Sequence, residues 1–411
     1  MVECWLPYGN TEVYVTVNVR DLLSVAEPAR QEPTAPAREV ANVAFSEEKA
    51  TKLLEGLASP DCTVSIALGG TTSPASAVAV LLPIVEKFVS LIVPRERITV
   101  VIANGVRDRS DPRLLEALRG ADGLKGVNLV EHTERSSTVL LGETRQHTPV
   151  EVNKAYADAK VKIAIGEVFA DHYTGFSGAH TSIIPGISST QSVEANRKLV
   201  LRGSVKPGYV EANQVKEDAL EAAKIAGCDL AVQLVDNPQG KLLTVHIGVL
   251  EETWGQAIYS LGSGYQINAE VGADIVVVSA GGSKFDYSLY PAAWALQVAS
   301  RLVRKGGAII LLSECADGLG PDSFTSLAHI EQQAELERRY SLGAEALQVI
   351  RAATSKCQVF LVSSLPRYQV EPLGLKVART ANEAYESALD VRRRRTLVVP
   401  YGCSTVPAGI P

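Results

Sequence analysis

The sequence contains no C-x-x-C pair and no apolar run approaching the roughly 18 residues that a membrane span requires. Its six cysteines, Cys4, Cys62, Cys228, Cys315, Cys357 and Cys403, are scattered, which excludes a zinc ribbon. At 411 residues the chain is too large to need a disulfide scaffold. It also lacks a basic excess: 40 Lys and Arg against 46 Asp and Glu give a formal net charge of −6, which argues against a nucleic-acid partner. The one basic cluster, at 392–395, runs directly into Leu397, Val398 and Val399 and reads as a solvated face leading into a buried strand. The N-terminal segment carries Glu3 and breaks at Pro7 and Gly9, so it is not a signal peptide. No membrane partner is expected, and the cytoplasm is the expected location. Internal repeats are absent too.

What is present is ordinary for a soluble protein: 46% apolar and 21% charged residues, in a chain long enough for two domains. Residues 12–19 alternate in a strand-like way, and 26–38 form a Pro/Ala-rich connector. An α/β rhythm then begins, with a helix at 46–57, a strand at 63–68, a helix at 75–88, a strand at 98–103 and a helix at 113–119. β-Branched runs follow at 127–130 and 161–166, and the segments 230–235 and 242–249 are joined by the turn sequence DNPQGK. A second α/β unit starts near Gln266, with strands at 275–278 and 308–312 and a helix at 291–303. The predicted fold class is therefore α/β: two α/β domains with mostly parallel sheets, covering 1–265 and 266–411.

Three loops follow N-terminal strands and would gather at one sheet edge, where open α/β sheets place ligands. The first, GGTTSP at 69–74, offers backbone N–H groups and the hydroxyls of Thr71, Thr72 and Ser73 ahead of a helix. That is either an anion cradle or plain N-capping by Thr72 or Ser73. The second, NGVRDRSDP at 104–112, carries Arg107, Asp108, Arg109 and Asp111. An arginine at a strand end can clamp a carboxylate or phosphate, and Arg107 lies nearer the strand than Arg109; the bland alternative is a surface ion-pair cluster.

The third loop, within EVFADHYTGFSGAHTSIIPGI at 167–187, is the richest. Asp171 and His172 are a candidate acid/base pair, although adjacent residues seldom point the same way. Gly175, Ser177, Gly178, His180 and Thr181 are candidate ligand contacts, because glycines admit close backbone approach and the others supply polar groups. His172 and His180 do not have a metal-ligand spacing, and His132, His147, His246 and His329 lie in unrelated segments, so no metal site is assigned. His246 sits in an alternating strand and reads as structural. In the second unit Cys315 follows a strand beside Glu314 and Asp317, where a small packed residue is favoured over a nucleophile.

Taken in order, LPYG, GGTTSP, ANGVRD, GFSGAHTSIIPGI with EAN at 194–196, Asn213 with Asp218, SAGGSKFDYSLY, GGAIILLSECADGLG and VVPYG span nearly the whole chain. This series resembles the lactate racemase family, enzymes of the nickel-pincer nucleotide. The resemblance implies two α/β domains with the active site in the cleft between them. It also implies a lysine that carries the cofactor covalently, matched here by Thr181, and a nickel-binding histidine, matched by Arg197. The family's two acid/base histidines fall at Arg107 and Asp171, with His172 one residue away. Ser73 stands for an arginine, Trp294 for a lysine and Pro291 for a glutamine; Lys198 is the nearest lysine for a relocated anchor.

The resemblance thus implies an isomerase-, epimerase- or lyase-type enzyme for a small hydroxy acid or other anionic metabolite. His172, Asp171 and Arg107 would be catalytic, and Arg197 with the loop residues would bind the ligand. No covalently bound nickel-pincer nucleotide is expected, and the cofactor stays unassigned. A non-catalytic ligand-binding or regulatory relative and a nickel-dependent 2-hydroxy-acid racemase remain as alternatives. A homo-oligomer remains open.

Overall fold

The β-branched runs become the strands of two separate six-stranded sheets in the computed structural model, which describes residues 1–202, 205–330, 332–388 and 394–409. The chain divides into two units: Arg30–Gly264, and Met1–Ala29 together with Tyr265–Pro411. Of the basic run at 392–395, Arg392 and Arg393 lie outside the described residues. Arg395 donates to the Gly272 carbonyl at 2.7 Å and lies 3.6 Å from Asp274. Among the described residues no helix is long and apolar enough to cross a membrane.

In the unit Arg30–Gly264 the sheet runs in the spatial order Leu242–Gly248, Leu230–Asp236, Val161–Glu167, Val64–Gly69, Ile98–Ala103, Asn128–Glu131. Only the first pair is antiparallel, as the turn sequence DNPQGK requires. Period-two alternation sorts the central strands onto two different faces. Ile66, Leu68, Val100, Ile102, Ile163, Ile165, Val232 and Leu234 join a large aliphatic core beneath the helix Pro74–Ser90, through Ile84, Val85 and Phe88. The opposite positions are small: Ala67, Val101, Ala164 and Ala231 meet Ala219, Ala222, Ala223 and Ala226 of the helix Gln214–Ala226, with Ile183 and Ile187. Short side chains let backbone approach backbone on that face, and the third loop is packed there. A β-carbon at Gly166 would lie 2.3 Å from the Gly178 carbonyl.

The predicted helix at 46–57 is Glu48–Leu57; a further helix, Ala37–Ser46, precedes it, and Glu47 is extended (φ −59°, ψ 139°) between the two. The connector after residue 26 correspondingly ends at Pro36, the residue before the first helix.

The other unit has an all-parallel sheet in the order Lys376–Ala378, Gln358–Val362, Val303–Leu312, Ala273–Ser279, Thr396–Val399, Leu22–Val25. Its last strand comes from the beginning of the chain. The hairpin Val2–Tyr8 and Thr11–Val17 buries Cys4, Leu6, Val15 and Val17 in the same core as Ile275, Val277, Ile310 and Phe360. Thr396 N–H donates to the Asp21 carbonyl and Ala26 N–H to the Val398 carbonyl, both at 2.7 Å. The expected assignment of residues 1–29 to a continuous N-terminal domain 1–265 is thereby corrected: their apolar face is buried in the unit that resumes at Tyr265.

Candidate functional site

The strands Val161–Glu167, Val64–Gly69 and Ile98–Ala103 are adjacent and parallel, so the three polar loops leave the same sheet edge. The loops are also hydrogen-bonded to one another: Gly70 N–H donates to Ala103 O at 3.0 Å, and Gly105 N–H to Gly186 O at 2.9 Å. In the first loop the backbone donors that would cradle an anion are largely occupied, since Thr72 N–H donates to Gly69 O at 3.0 Å. Ser73 caps the helix Pro74–Ser90 through Ser76 N–H at 3.3 Å, with Pro74 in the first turn. Thr71 is exposed, whereas the Thr72 hydroxyl is buried without a hydrogen-bond partner among the described residues.

The second loop is organised by Asn104, whose amide donates to Ser110 Oγ and the His132 carbonyl, both at 2.9 Å. Asp111 caps the helix Pro112–Gly120 and pairs with Arg113 at 2.8 Å. Burial disfavours its charge, but the Arg113 hydrogen bonds and the charges of Arg113 and Arg107 outweigh this and hold the carboxyl below its ordinary range. Arg107 is half-buried at the inner end of this loop, and Arg109 is exposed.

In the third loop, Asp171 Oδ2 accepts from Tyr173 N–H (3.1 Å), Thr174 N–H (2.7 Å) and Thr174 Oγ1 (2.7 Å). This Asx-type turn brings Asp171 opposite Gly175 in a two-residue antiparallel ladder. His172, between them, is buried. Gly175 has φ +80°, and a β-carbon there would lie 1.9 Å from the Tyr209 carbonyl oxygen. Ser177 Oγ donates to Glu167 O at 2.7 Å and accepts from Phe169 N–H at 3.0 Å. Thr181 Oγ1 donates to Gly178 O at 2.7 Å and accepts from Gly178 N–H at 3.3 Å. A β-carbon at Gly178 would lie 2.7 Å from Gln233 Oε1. The polar groups of Gly175, Ser177, Gly178 and Thr181 thus take part in the loop's own framework.

His180 and Arg197 differ. His180 is fully buried, and neither ring nitrogen has a hydrogen-bond partner among the described residues; its ring meets Trp254 edge-on, with centroids 5.1 Å apart. Burial pushes its pKa from 6.5 to about 4; the Asp171 charge opposes this, while Lys216 and Arg197 reinforce it. Arg197, 7% exposed, lays its guanidinium carbon 3.4 Å above the Tyr173 ring centroid, and its Nη1 has no hydrogen-bond partner among the described residues. Gln233 is fully buried as well: Oε1 accepts from Ala179 N–H at 2.8 Å, but Nε2 is unpaired.

Tyr173, Lys216, Gln233 and Trp254 were not singled out by sequence. Gln233 alone had a local signal, as an amide in the middle of the buried strand LAVQLVD. Asn213 and Asp218 prove to be framework: Asn213 caps the helix Gln214–Ala226, and Asp218 accepts from Thr148 Oγ1 (2.8 Å), Asn196 Nδ2 (2.8 Å) and Thr144 Oγ1. His132 is framework too, its Nε2 3.0 Å from Ser188 O and its Nδ1 3.2 Å from Asn153 Nδ2, with burial pushing its pKa down. His246 lies 2.9 Å from Ser260 Oγ. In the other unit Cys315 is buried at φ +54°, and burial, with the Asp286 and Glu314 charges, pushes its thiol up to about 12, far from a reactive thiolate. Lys198 is exposed. Among the described residues no group of three or more His, Cys, Asp or Glu could hold a metal ion.

Comparison with known proteins covers both units. The family model for the lactate racemase N-terminal domain matches residues 8–206, and that for the lactate racemase C-terminal domain matches residues 268–406. A lactate racemase from Thermoanaerobacterium thermosaccharolyticum is 27% identical over 278 residues, a stretch covering 67% of this chain and 65%, just under two thirds, of that protein. A lactate racemase from Lactiplantibacillus plantarum is 22% identical over 429 residues, covering 99% of this chain and 100% of that protein. Among solved structures, the lactate racemase apoprotein from T. thermosaccharolyticum superposes with a TM-score of 0.81 at 22% identity, covering 99% of this chain and 100% of that one. A protein from Thermotoga maritima gives a TM-score of 0.71 at 14% identity, covering 92% of this chain and 99% of that one.

Proposed function

The chain belongs to the lactate racemase family, and on that premise we propose that it is an isomerase-, epimerase- or lyase-type enzyme for a small hydroxy acid or other anionic metabolite. The observation that carries this reading is Arg197: a buried guanidinium, stacked on Tyr173, with an N–H-bearing nitrogen that no acceptor among the described residues satisfies. Leaving a buried donor unsatisfied costs about 1–3 kcal/mol, more for a charged group, and a carboxylate or phosphate oxygen at Nη1 removes that cost. Arg107, on the neighbouring loop, supplies a second positive charge. His172 moves the proton. Asp171, with one oxygen already accepting three hydrogen bonds, holds the His172 turn in place.

The reading excludes a covalently held nickel-pincer nucleotide at this loop. The family's lysine position is Thr181, whose hydroxyl is engaged with the Gly178 backbone at both ends. The nickel-binding position is Arg197, whose guanidinium, a donor without acceptor capacity, offers no lone pair to a metal. A non-catalytic binding relative is the second reading, favoured by the use of both Asp171 and Thr181 in the framework.

The test is incubation with both enantiomers of lactate, glycerate and related 2-hydroxy acids, followed by chiral chromatography for inversion and proton NMR for elimination. Turnover of at least one acid, reduced at least 100-fold in Arg197→Met, is expected. Ligand-induced thermal shifts without any turnover would establish the binding relative instead. Protein made alongside the cofactor-synthesis enzymes is expected to show its unmodified intact mass; added mass of a nucleotide would refute the argument from Thr181.

A further inference from the structure

We infer that His180 is the second anchor of the anion held at Arg197, and that its imidazole takes up one proton from solvent as the anion binds. The inference rests on the proposed anion site and adds to it a proton-linked, pH-dependent affinity.

Three observations lead there. The first is geometric. His180 lies on the helix Ala179–Ile183 with its ring in a T-shaped contact with Trp254, and both nitrogens are fully buried with no hydrogen bond among the described residues. An imidazole used only for packing normally satisfies at least one nitrogen, as His132 and His246 do in this chain.

The second is the company it keeps. The charged groups acting on His180 are Asp171 from the third loop, Arg197 from the helix Thr190–Lys198 and Lys216 from the helix Gln214–Ala226. Trp254 faces it from the helix Leu250–Leu261. Two cations against one carboxylate leave the surroundings of His180 with an excess of positive charge, which an anion would neutralise. The third is donor supply. Arg197 Nη1 is a buried donor with no acceptor among the described residues, and so is Gln233 Nε2, whose carbonyl end is tied to Ala179, the residue before His180.

The sign of the linkage follows from these charges. In the free protein burial and the two cations keep His180 neutral down to about pH 4. An anion beside it replaces net positive charge with negative and gives a ring N–H an acceptor, so its pKa rises in the complex. Between the two values the complex binds more protons than the free protein, and affinity strengthens as pH falls, by up to about tenfold per unit for one proton. No bond is made or broken in the ligand; the proton passes from water or buffer to a ring nitrogen.

Isothermal titration of the full chain with lactate, glycolate and inorganic phosphate at pH 6 tests this, in two buffers of different ionisation enthalpy. For whichever probe binds, the observed enthalpy should depend on the buffer with a slope corresponding to uptake of a substantial fraction of one proton. The dissociation constant should fall several-fold from pH 7 to pH 5.5. His180→Gln should abolish both effects and weaken binding. Nitrogen NMR of histidine-labelled wild-type protein gives a reading independent of the variant's folding: one buried imidazole should pass from neutral to protonated when the probe is added at pH 6. Binding with no proton uptake and no protonated imidazole overturns the role of His180 and leaves the anion site standing. Binding of none of these probes, or of any acid in the turnover panel, overturns both.

Discussion

Asn196 and Arg197 are consecutive residues of one helix, both buried and both polar, yet they face different kinds of interior. Asn196 donates to Asp218 and to the Val215 carbonyl, and Asp218 is completed by Thr144 and Thr148. Arg197 has an aromatic ring beneath it and an unpaired nitrogen. The first network is closed: every group named has its partner within the chain. The second is open, with His180 and Gln233 sharing the deficit. Buried polar groups that satisfy one another hold a fold together, whereas a set left unsatisfied destabilises it unless something else completes it.

The comparison breaks most clearly if the closed network proves dispensable. Asp218→Ala strands three donors and is expected to lower stability by about 4 kcal/mol in urea denaturation. A loss under about 1 kcal/mol would remove the distinction between the networks. Acid is the next probe. Because the folded-state pKa of His180 is depressed, its contribution is fully present above its unfolded value of 6.5 and is lost as pH falls towards about 4. The loss is on the order of 3 kcal/mol by pH 4. A pH series of melting curves should show this slope in wild type and a shallower one in His180→Gln.

Gly175→Ala tests the turn that carries His172. Overlap with the Tyr209 carbonyl at φ +80° should cost about 2–3 kcal/mol, read from the shift in denaturation midpoint. The smallest effect is the sharpest. Without ligand, Arg197→Met should change stability by less than about 1 kcal/mol in either direction, since replacing an unsatisfied buried cation by an apolar stem strands no partner. A large loss would move Arg197 into the framework beside Asn196.

The architecture was largely legible before the structure. Apolar strands at 63–68, 98–103 and 161–166, each followed by a polar, glycine-bearing loop, mark a parallel sheet with its loops at one edge, and those strands lie side by side. Residue chemistry inside the loops was much less legible. Asp171 looks like an acid or base in the string ADHYTG, but whether a carboxylate exchanges protons or organises a turn depends on where three neighbouring donors point. Ser177 and Thr181 likewise advertise hydroxyls without revealing that backbone carbonyls claim them. His180 gave no hint of complete burial, because the Trp254 that covers it is 74 positions away in sequence. The placement of residues 1–29 was hidden for the same reason: strand periodicity says that a segment pairs, and nothing local says with which sheet.

That placement has a consequence for how the molecule is made. Leu22–Val25 is synthesised long before its sheet neighbour Thr396–Val399. The core that takes up Cys4, Leu6, Val15 and Val17 is completed by Ile275, Val277, Ile310 and Phe360, all synthesised after the unit Arg30–Gly264. The unit Arg30–Gly264 has no such delay, because all its strands have emerged once residue 264 is out. Order of assembly is therefore written into the connectivity: the unit carrying His180 and Arg197 can condense before the segments that complete the other unit's sheet are made.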